Sequence, residues 1–380
     1  MEENMSAVNI LIAIVLFSVI ILFHELGHFL LAKANGIGVI EFSLGMGPRI
    51  ISYAKTEEGH RVKFFGSSRY FEEHKEFEDH TLYSWKILPF GGSCMMLGEM
   101  ENIEDDRAFG KKGVWARMSV IFAGPFFNFI LAFVLSLFLI GFAGYDEPFL
   151  TRVSPGMPLA EQGFQDGDRV TEINGRHIVV NRELKNYIQF HPLSDQPIEL
   201  TVERDGQEIT KSVTPRLVKD EEGNDVYRLG FSYNIDRTKA GVWENIKYSA
   251  YEVKFWIFTT IESLGQMFSG KVSAKEVSGP VGIVQVVGDV VSDSMPGGIG
   301  LVMCNILIMG ILLTANLGVM NLLPIPALDG GRLLFLIIEA IRRKPLPEKF
   351  ENYVNVGGFV ILMGLMVVIL ANDIIKLIPH

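Results

Sequence analysis

The run from Asn4 to Phe23 carries no charged residue and passes without a break into His24-Glu25-Leu26-Gly27-His28. A helix needs about 20 consecutive apolar residues to cross a bilayer. This segment therefore commits the chain to the membrane, and it takes two imidazoles and a carboxylate in with it. Ionisable groups at that depth are costly and persist where they have a task. On a helix, His24 and His28 lie four residues apart and project from one face, the spacing at which two ligands share one zinc ion. Glu25 adjoins that face and can act on water there.

Three further apolar runs follow. Ser119–Gly144 is uncharged, as is Ile299–Leu328, whose far end is interrupted by Pro324 and Pro326. Val356–Ala371 is shorter, but the residues after Asn372 and Asp373 extend it to a tilted span. A multi-pass α-helical membrane protein with about four transmembrane helices is expected. Hydrophobic residues make up 48% of the 380, with a mean hydropathy of +0.27, high for a soluble chain. The formal charge of −10, with no basic stripe against it, excludes a general nucleic-acid binder. Cys94 and Cys304 stand far apart and outside any CxxC pattern, which argues against a disulfide scaffold or a thiolate metal site. Glu2 and Glu3 stand where a cleavable leader is basic, and cleavage would discard the histidines, so the first run reads as a retained anchor.

Loop charges orient the spans. Lys111, Lys112 and Arg117 precede the second, and Arg342, Arg343, Lys344 and Lys349 lie between the third and fourth. The positive-inside bias puts these loops in the cytoplasm and both termini outside. The expected order is a first span with the histidines (1–31), a cytoplasmic-side membrane-associated β region and loop (32–117), and a second span (118–144). Then come an extracytoplasmic soluble domain (145–237), an amphipathic or peripheral linker (238–298) and a third span with a broken segment (299–338). A cytoplasmic loop (339–355) and a fourth span (356–378) complete it.

Between the first two spans, Gly36–Ser43 and Leu44–Pro48 mix β-branched and aromatic residues with glycines, the pattern of a short bent sheet. Leu88–Ser93 reads as a second turn or extended piece. Open sheet edges cannot face lipid, so these elements must be covered by protein or line a wet cavity. The charged stretch Arg69–His80 contains His74 and His80 but no ligand spacing, and reads as a solvated excursion. Residues 147–235 have soluble character. A strand over Asp168–Gly175 ends in a tight turn, a helix is expected around Arg182–Phe190, and Ile198–Glu203 runs into the turn signal Asp205-Gly206. This is a small mixed β domain without a convincing catalytic cluster; an exposed strand edge in it could add a peptide strand.

HExxH by itself recurs by chance, and a zinc site needs a third protein ligand. Asn321–Gly331 places Asp329 among prolines and glycines where a membrane helix must unwind, a break tolerated when it faces protein or water. Two readings stand for Asp329: third ligand, or turn carboxylate at a helix end. Asn321 could hydrogen-bond a bound peptide or brace the break, and Gly27 could clear space or serve packing alone. With zinc supplying Lewis acidity, Glu25 would take a proton from water and pass it to the leaving amine. Neutral His24 and His28 would each need an acceptor for the other ring nitrogen.

His24–His28 matches the HExxH motif of the site-2 protease family of intramembrane zinc metalloproteases, and Asn321–Gly330 matches its NxxPxxxxDG signature. Gly124–Asn128 is similar to its GxxxN motif, Pro89–Gly92 to its glycine-rich β turn, and the soluble insert to a PDZ-like β/α domain. The chain most resembles the family's bacterial branch over most of its length. The resemblance implies His24, His28 and Asp329 as zinc ligands, Glu25 as catalytic base, and Asn128 and Asn321 as residues that position substrate. It implies cleavage of single-span membrane proteins within the bilayer, anti-sigma factors or remnant signal peptides among them, often after an earlier external cut. It also implies a bacterial inner-membrane location with the active site toward the cytoplasm. The β region would engage the unwound substrate and the PDZ-like domain would bind a peptide or exclude bulky ectodomains. Three departures stand out: a single PDZ-like unit, a long Arg69–His80 stretch, and Ser93–Met96 in place of the usual aromatic-valine-lysine wording. Val242–Phe268 reads as an amphipathic helix, either at the membrane interface or packed on the PDZ-like domain, and Gly279–Ile283 as a bend. A PDZ adaptor with a structural metal site, and a transporter, are the competing classes. Glu25 favours an enzyme over the first, and the lack of paired repeats argues against the second.

Overall fold

The computed structural model describes residues 7–77, 79–99, 103–234, 236–270 and 279–376. Four helices among them are long and apolar enough to cross a membrane: α1 (Ala7–Ala34), α3 (Val114–Ala143), α8 (Ile299–Asn321) and α10 (Glu348–Lys376). The shorter helices are α2 (Ser68–Glu73), α4 (Pro158–Glu161), α5 (Asn181–Phe190), α6 (Val242–Phe268), α7 (Pro280–Ser294) and α9 (Asp329–Arg342). Helix α10 begins well before Val356, because the polar residues ahead of the apolar run are good helix formers and continue the same ladder. The chain divides into two compact units, one made of residues 1–135 with 264–380 and the other of residues 136–263.

In the first unit, α1 and α3 approach closely because small residues sit at the crossing. A Cβ on Gly27 would run into the Ala123 carbonyl oxygen. Pro125 interrupts the hydrogen-bond ladder of α3 from within, freeing the helix locally from its regular pattern. After α1 the chain enters a sheet ordered β2–β1–β3, from β1 (Val39–Thr56), β2 (Gly59–Phe64) and β3 (Leu82–Met96). The expected short bent sheet is longer than the glycine pattern suggests, since β1 bends through Gly45 and Gly47, both at positive φ, and continues. At Gly45 a Cβ would meet the Leu88 carbonyl. Both strands fold over so that Ser43 lies opposite Ser93 and Ser84, while Ser84 also lies opposite Ser52. Hydroxyl pairs Ser43–Ser93 (2.8 Å) and Ser52–Ser84 (3.2 Å) tie that row.

No described residue of the Arg69–His80 stretch is buried, and its aromatic residues give it order. Phe71 packs edge-on against Phe77, His74 stacks on Tyr70 at 3.9 Å, Lys63 lies over Tyr70 and Arg49 over Phe71. Beside it, Glu41 is buried in β1 and bonded to Arg49 at 2.8 and 3.0 Å. Burial pushes its carboxyl up, but the Arg49 guanidinium, with Ser84 and Lys86, outweighs that and holds it below the ordinary glutamate value.

In the second unit a sheet ordered β7–β6–β8–β9 is formed by β6 (Arg169–Ile173), β7 (Arg176–His177), β8 (Ile198–Arg204) and β9 (Gln207–Val213). Asn174-Gly175 and Asp205-Gly206 make the two hairpin turns with all four residues at positive φ, the geometry such pairs favour. Alternate strand residues Val170, Ile173, Leu200, Val202 and Val213 join Leu159 and Leu184 in one core. Helix α6 packs on this domain rather than standing apart from it. Glu252, 1% exposed, binds Arg182 of α5 and accepts from Trp256 Nε1 at 2.9 Å; Asn186 donates to Thr259, and Arg176 pairs with Glu262. A buried carboxylate of this kind is tolerated only when paired.

Candidate metal centre

Helix α1 supplies His24 and His28 one turn apart, both buried. The third group arrives from the far end of the chain. Helix α8 ends at Asn321, the prolines at 324 and 326 prevent its continuation, and residues 322–328 turn back before α9 starts at Asp329. The turn is tight: Ala327 sits at a φ of 72°, and Cβ atoms on Gly330 or Gly331 would strike the main chain of residues 322–326. Ion pairs of Arg332 with Glu99 and Glu339 with Arg117 seat α9 against the loop after β3 and against α3.

His24 Nε2, His28 Nε2 and Asp329 Oδ2 form a triangle with edges of 3.3, 3.2 and 3.4 Å. A tetrahedral zinc ion with ligand bonds of about 2.0–2.1 Å separates its ligands by about 3.3–3.4 Å. His28 Nδ1 lies 2.9 Å from the Val120 carbonyl, so it carries the proton and leaves Nε2 bare. Asp329 Oδ2 is buried and makes no hydrogen bond. Electron pairs held this close repel unless a cation lies among them. The residues fit a zinc ion.

Space for that cluster comes from α3. A Cβ on Gly124 would collide with both imidazoles, reaching 2.9 Å from His24 Cε1. Glu25 is half-buried beside the cluster. Strand β3 reaches it because Gly92 has no side chain; a Cβ there would lie 3.1 Å from Glu25 Cγ and 3.2 Å from Ile21 Cγ2. Of the expected site residues, His24, His28 and Asp329 are brought into one cluster, and Glu25 stands beside it on α1. Asn128 lies fully buried on α3 with Nδ2 3.1 Å from His24 Nδ1. Asn321 is half-buried at the end of α8. Sequence reasoning missed the Val120 carbonyl, since a main-chain acceptor has no sequence signal, and the clearing role of Gly124, whose signal was its place one turn before Asn128.

A family model described as peptidase family M50 matches residues 12–67 and 71–365. The chain belongs to peptidase family M50. Among its curated relatives, a Clostridium acetobutylicum protein named as a zinc metalloprotease is 35% identical over 372 residues, covering 98% of both chains. The zinc metalloprotease RasP of Bacillus licheniformis is 33% identical, covering 97% of this chain and 99% of its own. The regulator of sigma-W protease RasP of Bacillus subtilis is 31% identical with the same coverage. The family, these relatives and the His–His–Asp cluster agree on a multi-pass membrane protein with the activity of a site-2-type intramembrane metalloendopeptidase.

Proposed function

We propose that this M50 peptidase binds one zinc ion through His24, His28 and Asp329 and cleaves the membrane segments of single-span proteins, with Glu25 as general base and acid. The observation that carries the proposal is the triangle of His24 Nε2, His28 Nε2 and Asp329 Oδ2, whose edges match the ligand spacing of tetrahedral zinc. When bound, zinc supplies Lewis acidity toward water and the scissile carbonyl. Glu25 takes the proton from water at a carboxylate oxygen and later returns it to the leaving amine. The Gly92–Met96 limb of strand β3 pairs with β1 on one side only. A substrate helix, once unwound, can pair with its free main-chain groups beside Glu25 in the extended form that peptide hydrolysis requires. Asn321, the last residue of α8 before the break, would donate to a substrate carbonyl.

Basic residues Lys111, Lys112, Arg117 and Arg342–Lys344 at one end of the spans support a cytoplasmic position for the active site, with the PDZ-like domain and both termini outside. The RasP relative named for sigma-W supports anti-sigma factors as a substrate class. The test is cleavage of a single-span substrate in liposomes by wild type and by Glu25→Gln. The variant keeps its zinc and loses about 10²–10⁴-fold in turnover, the usual range for a general base. Equal turnover by the two proteins would remove Glu25 from the mechanism.

A further inference from the structure

Asn128 is 0% exposed, and three helices meet at it. Its main-chain carbonyl accepts from Thr314 Oγ1 of α8 at 3.1 Å, while its side-chain amide faces His24 of α1. The amide is drawn with Nδ2 toward His24 Nδ1, which leaves Oδ1 buried without any hydrogen-bond partner. That arrangement has two costs. An orphaned amide oxygen in the interior is unfavourable. It also makes His24 Nδ1 an acceptor and puts the ring proton on Nε2, which stands 3.2 Å from Asp329 Oδ2 and 3.3 Å from His28 Nε2 and could not ligate a metal while protonated.

Turning the amide over puts an acceptor at His24 Nδ1, where the zinc reading of the cluster requires one. The two ends of an asparagine amide are nearly the same size, and only the hydrogen-bond network distinguishes them. With Oδ1 toward the ring, Asn128 accepts the proton on His24 Nδ1, and Nε2 becomes a bare donor like its counterpart on His28.

We infer that Asn128 is a positioning residue for the metal centre: it accepts a hydrogen bond from His24 Nδ1 and so holds that imidazole in the one tautomer and orientation that can ligate zinc. It does for His24 what the Val120 carbonyl does for His28. The assignment rests on the zinc reading of the cluster and replaces a substrate contact for Asn128, which has no exposed surface to offer one. The sequence pattern then gains a physical meaning. Gly124 clears the volume that the two rings occupy, and one helical turn later Asn128 fixes one of them.

The test uses full-length protein in detergent micelles, stripped of metal and titrated with zinc against a competing chromogenic chelator. Asn128→Leu removes the acceptor at similar volume, and Asn128→Asp keeps an acceptor. The expected result is a 10–100-fold loss of zinc affinity in Asn128→Leu, the range for loss of such outer partners, with Asn128→Asp close to wild type. Wild-type zinc affinity in Asn128→Leu, with only KM for substrate raised, overturns the assignment in favour of substrate contact. An equal loss in both variants overturns it in favour of packing alone. Should Asn128→Leu fail to fold, isotope-labelled histidine in the zinc-loaded wild type decides the matter. A proton on His24 Nδ1 upholds the assignment, and a proton on Nε2 overturns it. Tight zinc binding by wild type together with an overturning result from the variants sinks this inference alone, whereas absence of zinc binding by wild type sinks the metal reading with it.

Discussion

His24→Ala combined with Asp329→Ala removes two corners of the triangle and leaves His28 with no protein co-ligand in the cluster. Metal content of the purified double variant should fall from about one zinc per chain to below about a tenth, because one imidazole cannot hold the ion against buffer and water. Stoichiometric zinc in that variant, measured by elemental analysis, would assign the ion to other residues. At this scale the helical spacing of His24 and His28 was legible, since a four-residue step fixes which side chains share a face. The identity of the third ligand was not. Asp329 as a turn carboxylate and Asp329 as a ligand have the same local sequence, and only its 3.2 and 3.4 Å approaches to the imidazoles separate them. Asn128 shows the same limit: its helix position was readable, while the ring it faces belongs to another helix.

Elements depend on residues that do no chemistry. Gly124→Ala places a methyl where His24 and His28 stand, and neither ring can retreat because His28 is bonded to Val120 and His24 faces Asn128. Overpacking of this kind costs about 1–3 kcal/mol, so the variant should unfold at lower temperature in detergent and bind zinc more weakly. Gly364→Ala in α10 is the control. A Cβ there meets open space, and alanine's better helix propensity leaves stability unchanged or higher. Equal unfolding temperatures for the two variants would mean that the α1–α3 crossing adapts freely. The hairpins of the PDZ-like domain were readable because Asn174-Gly175 and Asp205-Gly206 encode their own turn geometry. The docking of α6 was not. An amphipathic helix presents the same periodicity to a membrane surface as to a protein, and the Arg182–Glu252 contact that decides between them joins residues far apart in sequence.

For the whole molecule, the His–His–Asp cluster is held by α1, α3 and the start of α9. The unit of residues 136–263 contains the PDZ-like domain, to which the family resemblance assigns exclusion of bulky ectodomains. Two substrates with the same span, one with a folded ectodomain and one trimmed to a short stub, should therefore differ in cleavage rate by at least about tenfold, equivalent to about 1.4 kcal/mol. Cleavage at equal rates in reconstituted liposomes would deny the PDZ-like domain an excluding role. The amino-acid sequence by itself determined the spans, the turn chemistry and the paired histidines, because each depends on neighbours a few residues away. The tertiary structure alone decided that Asp329 closes the triangle with His24, that Gly92 brings β3 beside Glu25 and that α6 lies on α5. Those contacts arise from packing between segments distant in the chain, where periodicity says which face is apolar but not what will cover it.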